Sequence, residues 1–276
     1  METIYPFILY FAIYSLIGWV CETVSESFLN RRFINRGFLN GPFCPVYGFG
    51  AFAVLWATRG LPRNAVLIFI VSAVVTSALE YFTGWLLETV FKAKWWDYSH
   101  MKYNIHGRVC LLNTVLFGLM CVGLVLFLQP FVVHEVGLLP RQAGFWAAVV
   151  LLGYFAVDLS VSVATVLRLN QRLQHISELV TVIREKLDSY GWYDSINLRE
   201  RIEKFFDAGL ETEHPIYKSL AGIKERLARL AEDNRLLQRR IIRAFPEFKS
   251  VAYPEALTYL RELIASAAKK APRRRG

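Results

Sequence analysis

The chain has 276 residues, 54% of them hydrophobic and 14% aromatic, with a formal net charge of +9 and a mean hydropathy of +0.32. Soluble domains run at roughly 45–50% apolar, so this composition excludes an ordinary soluble globule and points to insertion in a bilayer. The positive charge needs no nucleic acid to explain it, because Lys and Arg kept on the cytoplasmic side of a membrane protein have the same effect.

Charge is distributed unevenly. The first 167 residues hold long uncharged runs, and the remainder is dense in Arg, Lys and Glu. A membrane part at 1–167 is therefore expected ahead of a helical part in water at 168–276. The N-terminal segment carries Glu2 and no basic residue before its apolar run, and the run from Ile4 to Ser25 exceeds a signal-peptide core. It reads as a first transmembrane helix. Further apolar runs follow at 43–58, 64–91, 109–133 and 143–167. All but the second reach the roughly 20 residues a helix needs to cross the hydrocarbon. The second opens Gly41-Pro42-Phe43-Cys44-Pro45, where the prolines favour a helix start or a bent approach. The expected fold is an all-α bundle of about five spans.

Basic residues set an orientation. Arg31, Arg32 and Arg36 follow the first span, and Lys92, Lys94, Lys102 and Arg108 follow the third; the alternate loops hold only Arg59, Arg63 and Arg141. That asymmetry puts the first set in the cytoplasm, the N-terminus outside and the C-terminus inside an inner membrane.

An internal repeat organises these spans. Gly18-Trp19-Val20-Cys21-Glu22-Thr23-Val24 returns 66 residues later as Gly84-Trp85-Leu86-Leu87-Glu88-Thr89-Val90, and the same offset pairs Gly41 with Gly107 and Cys44 with Cys110. Two-span units at about 5–60 and 64–133 would repeat their own orientation, so the duplication is parallel and the fifth span is an addition.

Beyond the fifth span, Leu169, Leu173, Ile176, Val180, Ile183 and Leu187 alternate in steps of four and three. This is the seam of a coiled coil. A second amphipathic piece is expected at 196–206. A third helix opens at Pro215 with a like seam from Ile216 to Ile241, interrupted by the polar Asn234. The two seams can close as a hairpin or between two copies of the chain. Glu255 to Ala268 reads as a last helix, and Lys269, Lys270, Arg273, Arg274 and Arg275 form a basic tail, solvated or in contact with anionic lipid.

Candidate functional groups are mostly acids. Glu22 lies one turn from Gly18, and Glu88 one turn from Gly84. They either face a common centre or pair with loop donors such as Arg36 and Arg108. Glu80 and Asp158 fall near the middle of their spans, where a charge costs at least about 2.5–3.5 kcal/mol. Such residues line a path for an ion or substrate, or hold helices together by hydrogen bonds. Ser72, Thr76, Asn113 and Thr114 add polar groups at similar depth. Trp95, Trp96 and Tyr98 suit an aromatic belt at headgroup level. His100 and His106 lack further ligands nearby, and Cys21, Cys44, Cys110 and Cys121 lack metal or disulfide spacing, so buried thiols and no metal or cofactor are expected.

These residues also carry a resemblance. Tyr14 to Trp19 with Glu22, the loop Asn35-Arg36-Gly37-Phe38-Leu39-Asn40-Gly41-Pro42 and its continuation to Gly50, Glu80, Glu88, Trp95-Trp96-Asp97-Tyr98-Ser99 and Asn104-Ile105-His106-Gly107-Arg108 resemble a family of bacterial integral membrane proteins labelled ABC-transporter type IV permeases. The resemblance covers roughly residues 5 to 165 and makes Arg36, Asn40, Trp96, Asp97 and Arg108 a candidate loop motif. It implies a membrane subunit working with a separate ATPase and brings no catalytic residues. No G-x-x-x-x-G-K-[ST] string occurs, so nucleotide binding by that route belongs to another chain. Transport is the leading expectation; a membrane-anchored interaction protein acting through its C-terminal helices is the alternative, and a membrane-embedded enzyme finds no recognisable nucleophile and base.

Overall fold

A computed structural model describes residues 4–189 and 236–270, with 202, 206, 220–223, 225–227 and 229 between them. The expected helix at 196–206, most of the 216–241 seam including Asn234, and the end of the basic tail lie outside the described residues. The protein is largely helical, and four helices are long and apolar enough to cross a membrane.

α1 (Tyr5–Asn30) begins with a proline in its first turn and ends at Arg31, which turns left-handed at φ 49°. α2 (Pro45–Ala57) likewise starts on a proline, where the missing N–H costs nothing. Its 13 residues extend about 20 Å, short of a hydrocarbon core of about 30 Å. α3 (Ala65–Phe91) is capped by Asn64, whose side chain accepts from the N–H groups of Val66 and Leu67 at 2.9 and 3.2 Å. After α3 come three two-residue strands, β1 (Ala93–Lys94), β2 (Asn104–Ile105) and β3 (Val109–Cys110); β2 and β3 pair antiparallel.

α4 spans Leu111–Gly137. It widens to a π turn at Leu124–Leu128, just before Pro130, which has no N–H to return to the preceding turn. Gln129 in the same stretch accepts a short hydrogen bond from Tyr14 of α1. α5 (Arg141–Ser189) is one continuous helix of 49 residues, about 73 Å long. α6 (Leu236–Ala244), β4 (Lys249–Ser250) and α7 (Pro254–Lys270) complete the described chain.

The chain divides into two compact units. The first comprises Met1–Thr165 with Arg240–Phe248, and the second Val166–Arg239 with Lys249–Gly276. In the first, α1 packs on α2 and α3 on α4. Its apolar core joins Leu9, Tyr14, Ala51, Val132, Val136 and Ala148. Large apolar side chains stand outward along the long helices, among them Val66, Ile70, Val74, Phe127, Phe131, Trp146 and Val150. An apolar exterior over span-length helices is what lipid requires.

In the second unit, every seam residue of α5 from Leu169 to Leu187 is 3% exposed or less within this single chain. The seam thus has its cover without a second copy. Arg172 beside it donates from Nη1 to Gln238 Oε1 at 2.8 Å, and Arg184 pairs with Glu255 at 2.7 Å.

Two sequence expectations need correction. Cys21 is exposed, because it falls on the outward face of α1, while Cys44, Cys110 and Cys121 are buried. Trp95 is 3% exposed, packed into protein by the aromatic side chains around it and so not available to a headgroup belt.

Candidate functional site

The loop between α1 and α2 is tied down at nearly every residue. Trp19 Nε1 donates to Asn35 Oδ1 at 2.7 Å, and Asn35 in turn reaches the carbonyl of Asn40. Arg36 bridges two acids one turn apart on α1, with Nε 3.3 Å from Glu22 and Nη1 2.8 Å from Glu26. Glu22 also accepts from the Tyr47 hydroxyl of α2. The Cys44 N–H closes the loop onto the Ser15 carbonyl at 2.9 Å.

Asp158, on α5, holds the other side of this loop. Its Oδ1 accepts from the Asn40 N–H at 2.8 Å and from Asn40 Nδ2 at 3.0 Å, and its Oδ2 accepts from the Gly41 N–H at 2.8 Å. Tyr154 and Ser162 add longer donations at 3.3 Å. Donors converge on both oxygens, the pattern an ionised carboxylate wants. Asp158 is 7% exposed, and its charge is met by loop backbone. A Cβ at Gly41 would lie 1.6 Å from the Tyr154 hydroxyl and 3.1 Å from Asp158 Oδ2, so any side chain there must push the Tyr154 ring aside.

The loop after α3 is built to a related plan with different side chains. Lys92 ends α3 at φ 50°, as Arg31 ends α1. Glu88 accepts from Arg108 Nη2 at 2.7 Å and Nε at 3.2 Å, and the guanidinium lies 5.2 Å from the Tyr81 ring. Trp96 Nε1 donates to the Arg108 carbonyl at 3.0 Å. Asp97 caps its own turn, accepting from the Ser99 N–H and hydroxyl. A Cβ at Gly107 would lie 2.6 Å from Asp97 Oδ1, and its φ of +69° also favours glycine. His106 stands at φ 53°, exposed, with Nδ1 3.1 Å from the Tyr81 hydroxyl. Both glutamates of the repeated blocks are thus bonded to loop arginines.

Glu80 is placed differently. Tyr98 from the loop and Asn113 from α4 stand as donors toward its carboxyl, and Glu22 adds like charge. Its Oε2 is shielded from solvent with no hydrogen-bond partner. Burial, followed by Glu80 and Glu22, raises the Tyr98 hydroxyl well above the ordinary tyrosine range, so Tyr98 stays a donor toward this acid. Of the other polar groups at this depth, Ser77 and Thr114 bond across α3 and α4 at 2.8 Å, Thr76 bonds back to its own helix, and the Ser72 hydroxyl finds no partner. No group of three or more His, Cys, Asp or Glu suited to a metal occurs among the described residues.

Sequence reasoning missed the segment 240–248. Arg240 donates from Nη2 to the carbonyls of Gly37 and Phe38 at 3.2 and 3.1 Å. Phe245 and Phe248 meet the Trp95 ring edge to face at 4.9 and 5.3 Å, and the Arg36 guanidinium lies 5.3 Å from the Phe245 ring. Glu247 accepts from the Asp97 N–H at 3.4 Å. The string Arg239-Arg240-Ile241-Ile242-Arg243-Ala244-Phe245-Pro246 offers a cationic and aromatic helix end, but nothing in its spacing names a partner some 200 residues earlier.

Cys44 ends the loop, and burial pushes its thiol up to about 12, with Glu22 adding and Arg36 and Arg240 opposing. A folded value above the ordinary 9 means that the native thiol keeps its proton where the unfolded one ionises. This contribution to stability is intact below pH 9 and falls as pH rises toward 12. Maleimide labelling of Cys44 should therefore stay negligible between pH 7 and 9, read by mass spectrometry of the digested protein.

A family model described as "Putative ABC-transporter type IV" matches residues 9–163. The match takes in Glu22, Arg36, Asn40, Glu80, Glu88, Trp96, Asp97, Arg108 and Asp158. No curated protein and no solved structure matches the chain. Spanning more than half of the 276 residues, the family match and the span-length apolar helices agree: the chain belongs to the ABC-transporter type IV family of membrane proteins.

Proposed function

We propose that this chain is the permease-like, membrane-embedded subunit of a transporter whose ATPase is a separate polypeptide. The family match carries the reading. In this arrangement the loops at 31–44 and 92–110 face the cytoplasm, with the N-terminus outside and the C-terminus inside a bacterial inner membrane. α2 makes a fifth, short crossing with help from its flanking loop.

The bundle derives from duplication of a two-helix unit. Supporting this, Cys44 and Cys110 are the extended residues immediately before α2 and α4. Each copy of the repeated block also places its glutamate against an arginine of the following loop. Glu80 is the acid best suited to a transport path, since it alone of the four acids singled out from the sequence keeps a shielded oxygen without a partner. Asp158 instead holds the loop that closes one end of the bundle.

The test is purification of the intact protein from native membrane. An ATPase present in stoichiometric amount is expected, with ATP turnover in liposomes that falls at least tenfold in Glu80→Gln while the protein remains folded. Isolation of the chain alone or only with itself would contradict the reading and favour an interaction protein acting through the C-terminal helices.

A further inference from the structure

A shallow cleft opens between the last turns of α3 and the second loop, and its lining includes Glu88, Lys94, Trp95, His106 and Arg108. Glu88 is the acid of this lining, and Arg108 meets its charge through Nε and Nη2, both on Oε2. The half-buried Lys94 has no hydrogen bond or ion pair among the described residues. Trp95 is buried, and its Nε1 is shielded from solvent without a partner. His106 presents a third donor. Tyr81 accepts from Arg108 Nη1 at 3.2 Å, which directs its own hydroxyl proton to His106 Nδ1 at 3.1 Å and leaves the imidazole with its hydrogen on Nε2. Three donors, one of them a full positive charge, are left over against a single acceptor, Glu88 Oε1. The cleft suits an anion.

Its place on the bundle narrows the class of anion. Phe82, Trp85, Leu86 and Val90 stand exposed along α3 to its last turn, and Gly84 and Glu88 of the cleft belong to the same turns. A surface that faces lipid therefore runs directly into a cationic cleft, at the depth where headgroups lie. The first loop offers a comparison. At the 66-residue offset His106 and Gly107 correspond to Asn40 and Gly41, whose N–H groups hold an anion from within the chain, the Asp158 carboxylate of α5. Among the described residues the second loop receives no such carboxylate. Asn104 Oδ1 takes the Gly107 N–H at 3.0 Å, and Lys94 stays unpaired.

We propose that this cleft binds the phosphate of an anionic phospholipid headgroup, held by the Lys94 ammonium and the His106 Nε2–H, with the acyl chains along Phe82, Trp85 and Leu86 of α3. The phosphate supplies the acceptor oxygens and the negative charge that the lining lacks. The tail covers the apolar face beside it, which a free phosphate would leave bare. Binding fastens the second loop to the bilayer surface and needs no ATPase.

Lysine acetylation of the unsubstituted, full-length protein in nanodiscs is the direct test. Lys94 should react about fivefold more slowly in phosphatidylglycerol than in phosphatidylcholine, relative to the exposed Lys102, as expected for one basic residue engaged at an anionic surface. Inorganic phosphate added to the phosphatidylcholine discs should leave Lys94 reactive. In a second arm, native mass spectrometry in detergent reads binding of short-chain phosphatidylglycerol. Lys94→Gln/His106→Gln should weaken it at least fivefold, while His100→Gln/Lys102→Gln, which makes the same exchanges at exposed positions outside the cleft, should leave it unchanged. Equal Lys94 rates in the two lipids, protection by inorganic phosphate as strong as by phosphatidylglycerol, or equal losses in the two double variants overturns the proposal. Neither arm reads ATP turnover or a copurifying ATPase, so failure of the transport reading leaves these outcomes unchanged.

Discussion

Replacing Asp158 with alanine is expected to release the loop at 35–44 and destabilise the protein by about 2 to 4 kcal/mol, because two part-buried backbone N–H groups lose their acceptor, each toward the lower part of the roughly 1–3 kcal/mol of a buried one. The donors concerned are those of Asn40 and Gly41, both 2.8 Å from the carboxylate. Asp158→Asn should be nearly as damaging. The amide keeps the shape of the side chain but can turn only one oxygen toward the two backbone donors, leaving its NH2 against the other. Thermal unfolding in detergent gives the loss, and labelling of Cys44 at pH 7.5 gives its location. A purely path-lining Asp158 predicts a different result, with both variants as stable as the parent and Cys44 still protected.

The second large effect separates two positions that the repeat makes equivalent. A Cβ on Gly18 would fall 2.2 Å from Tyr47 Cγ and 2.4 Å from Tyr47 Cβ, and the latter is fixed by the α2 backbone, so no rotamer change removes the clash. At Gly84 the nearest atoms are Trp96 Cζ2 at 3.3 Å and the Arg108 stem at 3.5 Å, which a small shift accommodates. Gly18→Ala should therefore cost about 3 kcal/mol, at the upper end of overpacking effects, and part α1 from α2. Gly84→Ala should cost under about 1 kcal/mol, because helix propensity gained from alanine offsets mild crowding. Comparable losses at the two sites would show that the close contact of α1 with α2 is not where the structure places it.

What the sequence disclosed follows from local chemistry. Apolar runs of span length became α1, α3, α4 and the first half of α5. Pro45 marked a helix start because a proline without N–H suits a first turn. The heptad seam from Leu169 to Leu187 became a buried stripe, since side chains four and three apart share one face. The pairing of Glu22 with Arg36 and of Glu88 with Arg108 was one of two readings open from spacing alone.

Other features depend on distance along the chain. Asp158 was recognisable as a costly charge at membrane depth, yet its partners lie 117 and 118 residues earlier. No periodicity encodes that return. Trp95 and Trp96 are neighbours with the same amphipathic character, and one is enclosed by Phe38, Phe91, Phe245 and Phe248, while the other donates to the Arg108 carbonyl. Arg240 sits among several arginines of similar setting, and only the fold selects it for the carbonyls of Gly37 and Phe38. The repeat likewise predicts where a glycine stands and not what stands over it, as Gly18 and Gly84 show.

In the proposed parallel repeat the two arginine-bearing loops share one side of the bilayer. Arg32→Cys and Lys102→Cys, both at exposed positions and each made in a Cys21→Ser background, can be treated with a membrane-impermeant maleimide in intact cells and again after permeabilisation. Both should label only once the membrane is opened. Labelling of one from outside and the other from inside would contradict the parallel repeat and the function built on it.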